Sequence, residues 1–385
     1  MTGIEKEKEK SKRFSINLRQ YAMIMALIVL FILFTSLTKG SFIQTRNLSN
    51  LARQMAITGV LATGMAMVII SGNIDLSVGT LLGFIGGLGA AGMVWWGWDM
   101  YTTILIQLAV GLVVGLIQGS IVAYLRMPAF ITTLGAQLIF RGATLGVIKG
   151  TTVAPLHKGY VFLGQAYVTE LMGWILAAVA IGFMFYSMLR KRASNMKYKF
   201  EVNSLSYDLI KTSLFGALII GFVWIMNDYR GVPVPVILML ALSITFTFVA
   251  EKLTFGRSVY AIGGNREAAK YAGINVDWIT VIVFMLSGLM SAVAGIIMSA
   301  RLNAGAPQAG LQMETDAIAA AVIGGISMTG GIGRVSGALI GAVVMATLDN
   351  GMSMMNIQAF WQFIVKGAVL IAAVWFDISS KNKQK

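Results

Sequence analysis

A chain that returns again and again to a span-length apolar run has few folds open to it. Such runs occur at about 20–37, 56–70, 76–98, 103–125, 128–148, 171–189, 209–226, 235–251, 279–299, 317–332, 336–350 and 359–376. In lipid each backbone N–H and C=O must find a partner inside its own segment, so the runs predict α-helices. The expected fold is all-α, a polytopic transmembrane helical bundle with 10–12 spans. The runs at 56–70, 317–332 and 336–350 are short and glycine-rich, which predicts broken or re-entrant elements among them. Charged residues are 12% of the chain, about half the share in soluble domains, so a string of soluble domains is excluded. One membrane domain, 20–376, is expected between a cytoplasmic polar head (1–19) and a cytoplasmic tail (377–385).

Lys and Arg outnumber Asp and Glu by 30 to 16, a formal charge of +14. In a soluble protein that balance would suggest nucleic acid; here it predicts cytoplasmic loops. The basic clusters are the head, RKRASNMKYK (190–199), Glu251 to Trp278, and the tail SSKNKQK. All four are expected inside, with both termini, and a count of twelve satisfies that parity. If 317–350 is a re-entrant hairpin the count is ten and no other loop changes side. The first run has a positive n-region before it, yet no Ala-x-Ala site follows, so it reads as a retained anchor.

The chain has no Cys, which excludes thiol catalysis and Cys-ligated zinc. Its one histidine, His157, lies in the polar loop TTVAPLHKGY and reads as an ordinary loop residue. No Gly-Lys dipeptide occurs, so no P-loop can form, and G-x-S-x-G and H-E-x-x-H are absent. A membrane protein without enzymatic activity or cofactor is expected. Gly111, Gly115 and Gly119, and later Gly337 and Gly341, are spaced for close helix packing. Trp95, Trp96, Trp98 and Tyr101 read as an interfacial belt.

Ionisable groups inside a bilayer are functional candidates by default. These are Asp75, Arg141, Asp316, Asp349 and Lys366, with Glu314 nearby. Asp75 lies in SGNIDLSVG, where Ser71, Gly72 and Asn73 stop one helix and Asp75 or Ser77 can cap the next. Two readings stay open: a broken helix that offers polar groups to a substrate, or a cytoplasmic turn with a capping Asp. A similar pattern recurs in ETDAIAAAVIGGISMTGGIGR, where Asp316 opens a run of small residues. Asn73, Asp75, Ser77, Glu314 and Asp316 are therefore the candidate translocation path.

The loop EKLTFGRSVYAIGGNREAAKYAGINVDW contains a short helix with good ends. Asn265 is the expected N-cap, Glu267 lies in the first turn and Gly273 terminates it. Ala268 and Ala269 are expected to form a smooth outer face between Arg266 and Lys270. Two turns of helix are unstable alone, so the segment is either a surface connector or docked in a partner's cleft.

That loop and three other segments resemble the permease subunits of ABC sugar importers, the group that includes the ribose, galactose and xylose permeases. The matching stretches are SGNIDLSVG, MPAFITTLGA, FGRSVYAIGGNREAAKYAGI and ETDAIAAAVIGGISMTGGIG. NDYRGVPVPV and LDNGMSMMNIQAFWQ resemble the xylose permeases within it. The resemblance implies a bacterial inner-membrane permease homodimer, cytoplasmic ATPase subunits that hydrolyse the ATP, and an extracytoplasmic sugar-binding protein. It also implies a coupling segment at Gly263, Gly264, Asn265, Arg266, Glu267, Ala268, Ala269 and Gly273, inside the loop 252–278. Alternating access would import xylose or a related monosaccharide. The rival reading is an ion-coupled secondary transporter, which needs a relay of acidic groups such as Asp75 and Asp316. A membrane scaffold is a third, disfavoured by polar breaks inside the bundle.

Overall fold

The computed structural model describes residues 18–200 and 202–382. Positions 1–17 of the expected head and 383–385 of the expected tail lie outside the described residues. The described chain forms fifteen α-helices: α1 Leu18–Leu37, α2 Thr45–Ile70, α3 Val78–Trp95, α4 Met100–Tyr124, α5 Ala129–Val147, α6 Lys158–Gln165, α7 Glu170–Lys197, α8 Leu205–Asn227, α9 Val234–Lys252, α10 Thr254–Gly264, α11 Arg266–Tyr271, α12 Val276–Leu302, α13 Met313–Ile323, α14 Val335–Met354 and α15 Ala359–Asn382. Ten of them are long and apolar enough to cross a membrane, and the protein is multi-pass.

Every expected apolar run falls on a helix, but the lengths differ in an informative way. The runs at 56–70 and 336–350 belong to full-length helices of 26 and 20 residues. Hydropathy shortened α2 because its first turns, Thr45 to Gln54, carry polar side chains that bond within the bundle: Asn47 donates to Asn350 at 2.8 Å and Asn50 accepts from Arg301 at 3.2 Å. The run at 317–332 overlaps α13 only over 317–323, and the whole helix has 11 residues, about half of what a bilayer core needs. Residues 303–312 complete that crossing in non-helical form. Gly305 exchanges backbone bonds with Val153 at one end of the bundle, and Gly331, beyond α13, donates to Ile70 O at the other. The stretch is a traverse, half turns and half helix, and not a hairpin.

Caps set the boundaries. Asp99 accepts from Tyr101 N and Thr102 N to start α4, and Thr102 holds its exposed carboxyl below the usual range. Thr169, Ser204 and Asn275 cap α7, α8 and α12 in the same way. His157 caps α6, its Nδ1 accepting from Gly159 N. Trp98 lies flat where a side chain on Gly92 would sit, and Trp95, Trp96 and Tyr101 are exposed beside it at the end of α3.

At the centre, α2 packs against α12, α13, α14 and α9, and α12 packs against α3 and α4. The pair α7–α8 and helix α15 lie at the periphery. Arg190, Lys191, Arg192, Lys197, Lys252, Arg257, Arg266 and Lys270 all sit at or beside one end of the bundle, called the basic end below. The α2–α3 break opens toward that end, and the α12–α13 break toward the other.

Candidate translocation path and coupling segment

α2 stops at Ile70 because the chain turns through Ser71 and Gly72, the latter at φ 83°, where L side chains are strained. Asp75 then enters the core and is 1% exposed. Its Oδ1 accepts from Ser77 N at 2.9 Å and Ser77 Oγ at 2.7 Å, and its Oδ2 accepts from Ser287 Oγ of α12 at 3.0 Å. Gln118 of α4 donates to Ser77 Oγ, and Leu76 N donates to Thr133 Oγ1 of α5. The break is therefore tied to three other helices. Both Asp75 oxygens are occupied by protein donors inside the core, so the carboxyl knots the break together. A buried carboxylate bond contributes about 1.5–3 kcal/mol, and Asp75→Ala strands Ser77 N. We expect that variant to melt well below wild type in detergent; an unchanged midpoint would rule out the knot.

The second break begins at Leu302, where Asn303 turns with φ 54°. Arg141 of α5 grips it, donating to Pro307 O and to Gln308 Oε1. Gly310, at φ 78°, presses on the backbone of Gly79 in the first turn of α3. Glu314 accepts from Gln137 at 2.8 Å through Oε1, while its buried Oε2 lies over Gly79 without a hydrogen-bond partner. The two breaks thus meet mid-bundle, at the N-terminus of α3, whose positive end favours an anion. Asp316, two residues on, belongs to a different cluster. Lys366 of α15 binds Asp316 at 2.9 Å and Asp349 of α14 at 2.7 Å. Asp75 and Asp316 are not a pair: helix–break–helix recurs, but the acids do different work in each copy.

Asn73 lines a cavity of about 580 Å³ at the basic end, with Arg126, Pro128, Arg266, Glu267 and Lys270 around it. α11 forms the far wall. Asn265 Oδ1 accepts from Ala268 N at 3.0 Å, and Gly273 closes the helix at φ 81°. Gly264, Arg266, Glu267 and Ala268 are exposed. Ala269 is not: it packs with Ile262 and Val276 inside the permease. The smooth outer face expected at Ala268 and Ala269 is therefore reduced to Ala268, because a 100° turn per residue carries the next side chain inward.

Sequence reasoning passed over Gln118, Gln137, Ser287 and Thr133, which hold the breaks in place. Their signal was present: a lone glutamine in an apolar run needs an interhelical partner. Gly79 and Gly310 carried no signal, since their closeness depends on how two distant segments cross.

The chain matches the family described as branched-chain amino acid transport system / permease component over residues 47–374. It is 48% identical to the xylose transport system permease protein XylH of Haemophilus influenzae, over 96% of this chain and 98% of that protein. Identity to the Escherichia coli K12 XylH is 46%, over 96% and 94%. The ribose import permease protein RbsC of Bacillus subtilis is 34% identical, over 96% of each chain. No solved structure matches the chain. Membership covers both breaks, the α10–α11 segment and nearly all of the bundle, so the chain belongs to this family of transport-system permease components, the membrane-spanning subunits of ABC transporters.

Proposed function

We infer that the protein imports xylose, or a closely related monosaccharide, as the membrane subunit of an ATP-driven importer. The observation that carries the sugar is the ordering of identities, 48% and 46% to xylose permeases against 34% to a ribose permease. The permease works as a homodimer in the bacterial inner membrane. Its basic end, with both termini, faces the cytoplasm, since Arg and Lys accumulate there. The membrane domain is 20–376, and the loop 252–278 carries the coupling segment. A cytoplasmic ATPase grips the exposed face of α11 around Gly264, Arg266, Glu267 and Ala268, and a sugar-binding protein docks at the opposite end. Glu314, with Gln137 beside it, supplies hydroxyl-binding chemistry at the meeting of the breaks, and Asn73 lines the exit.

Gly264→Trp tests this reading. A Cβ there meets no atom of the permease within 4 Å and the position is exposed, so the bundle should tolerate the substitution while a docked partner should not. In vesicles holding permease, ATPase and xylose-loaded binding protein, the variant should lose the co-purifying ATPase and sugar uptake together. Retained ATPase with coupled uptake would remove α11 from the docking surface. Uptake driven by an ion gradient without ATP would instead favour the secondary transporter.

A further inference from the structure

Three distant segments touch backbone to backbone, largely through glycines, at the basic end. Gly263, at the end of α10, lies so close to Ile70 O that a Cβ there would overlap it, and that Cβ would stand 2.5 Å from Gly331 N. Gly331 N donates to Ile70 O at 2.9 Å. A Cβ on Gly330 would lie 2.9 Å from Gly72 Cα and 3.0 Å from Gly263 Cα, and one on Gly331 would lie 2.7 Å from Gly264 Cα. Tyr260 of α10 donates to Gly333 O at 2.8 Å. The α2–α3 break, the α10 terminus and the turn after α13 therefore form one backbone junction.

The same two broken elements meet again deeper in the bundle, where Gly310 and Glu314 lie against Gly79. Between the two meeting points run the 71–77 segment, held by Asp75, and helix α13. Together they make a closed frame, with the α10 terminus wedged at one corner. Between Gly263, Ile70 and Gly331 backbone meets backbone with no side chain interposed, so a displacement of Gly263 must displace Ile70 and Gly331 with it.

We propose that Gly263, Gly330 and Gly331 are positioning residues that pass movement of α10–α11 to both broken helices at once. The inference rests on the importer reading but concerns the inward face of the coupling segment, where that reading concerns the outward one. Bound ATPase pulls α11 from outside; the glycine junction makes the two breaks follow together.

The test is Gly263→Ala in the complete importer in vesicles, with Gly135→Ala as control, since a Cβ at Gly135 meets nothing within 4 Å. Gly263→Ala should keep its ATPase at the wild-type ratio and still hydrolyse ATP. Sugar transported per ATP should fall by about tenfold, within the range of single-residue coupling effects. Gly331→Ala, on the other side of the junction, should do the same. Tyr260→Phe removes one hydroxyl and adds no bulk, so it decides the matter if the glycine variants fail to accumulate; its sugar-to-ATP ratio should fall by about two- to fivefold. Wild-type ratios in these variants overturn the proposal, as does loss of the ATPase from Gly263→Ala, which would make Gly263 a docking residue. Failure of the importer reading registers separately, in Gly264→Trp.

Discussion

Gly115→Leu is expected to leave almost no folded permease in the membrane, because it drives a side chain between two helix backbones. Helices α4 and α12 run antiparallel with Gly111 facing Gly288, Gly115 facing Phe284 and Gly119 facing Val281. A Cβ on Gly115 would overlap Phe284 O and stand 2.6 Å from Met285 Cα. Leucine adds three more carbons beyond that clash. The helices must then separate along the whole stripe, and the damage spreads. Ser287 is adjacent to Gly288 and bonds Asp75, while Gln118 is adjacent to Gly119 and bonds Ser77. Overpacking with flexible neighbours costs about 1–3 kcal/mol. Here the neighbours are backbone, so the loss exceeds that range and consumes much of the roughly 5–15 kcal/mol that keeps a protein folded. Gly142→Leu, on α5 where the ideal Cβ meets nothing within 4 Å, is the matched control and should be nearly neutral. The measurement is the yield of monodisperse protein after detergent extraction, with its melting midpoint. A Gly115→Leu protein that extracts and melts like wild type would show that the α4–α12 contact is not as close as described.

The residues that were legible beforehand are those whose role is set by their near neighbours in sequence. Asn265 and Gly273 bound α11 because caps act over three or four residues, and the Gly111–Gly115–Gly119 stripe reads as packing because its period is that of one helix face. The helical traverses were legible for the same reason, as runs. What failed was anything decided across the bundle. Ala269 looked like its neighbour Ala268 until the fold turned it inward onto Ile262 and Val276. α13 looked like a short span because hydropathy averages cannot tell a helix from the looped, glycine-rich stretch 324–332 after it. Asp75 and Asp316 looked like a pair since each opens a run of small residues. Yet Asp75 accepts from serines of its own break and of α12, whereas Asp316 reaches a lysine 50 positions away on a peripheral helix.

That lysine carries the other large expectation. Lys366→Met should cost about 3–5 kcal/mol, the usual penalty for removing one partner of a buried ionic cluster. Lys366 Nζ lies 2.9 Å from Asp316 and 2.7 Å from Asp349, and the three side chains are 11%, 5% and 29% exposed. Lys366 bonds Asp316 Oδ2 while Oδ1 is buried without a hydrogen-bond partner, so the lysine is the carboxyl's principal compensation, helped by the positive N-terminus of α13. The lysine also fastens α15, which packs mainly on α13, to the bundle. Without it two carboxyls face each other among apolar helices, where an uncompensated charge is costly. Methionine keeps the length and the apolar stem, so the loss is one of charge and not of volume. Replacing all three groups, Lys366→Met with Asp316→Asn and Asp349→Asn, removes the charges together and should restore most of the melting midpoint. Uptake by that triple variant then separates two roles. An importer driven by ATP uses the cluster only as a fastening and should transport again. A transporter driven by an ion relay would fold but stay inactive, because its titrating groups are gone. A wild-type midpoint for Lys366→Met alone would mean that the cluster is hydrated in the membrane and holds nothing in place.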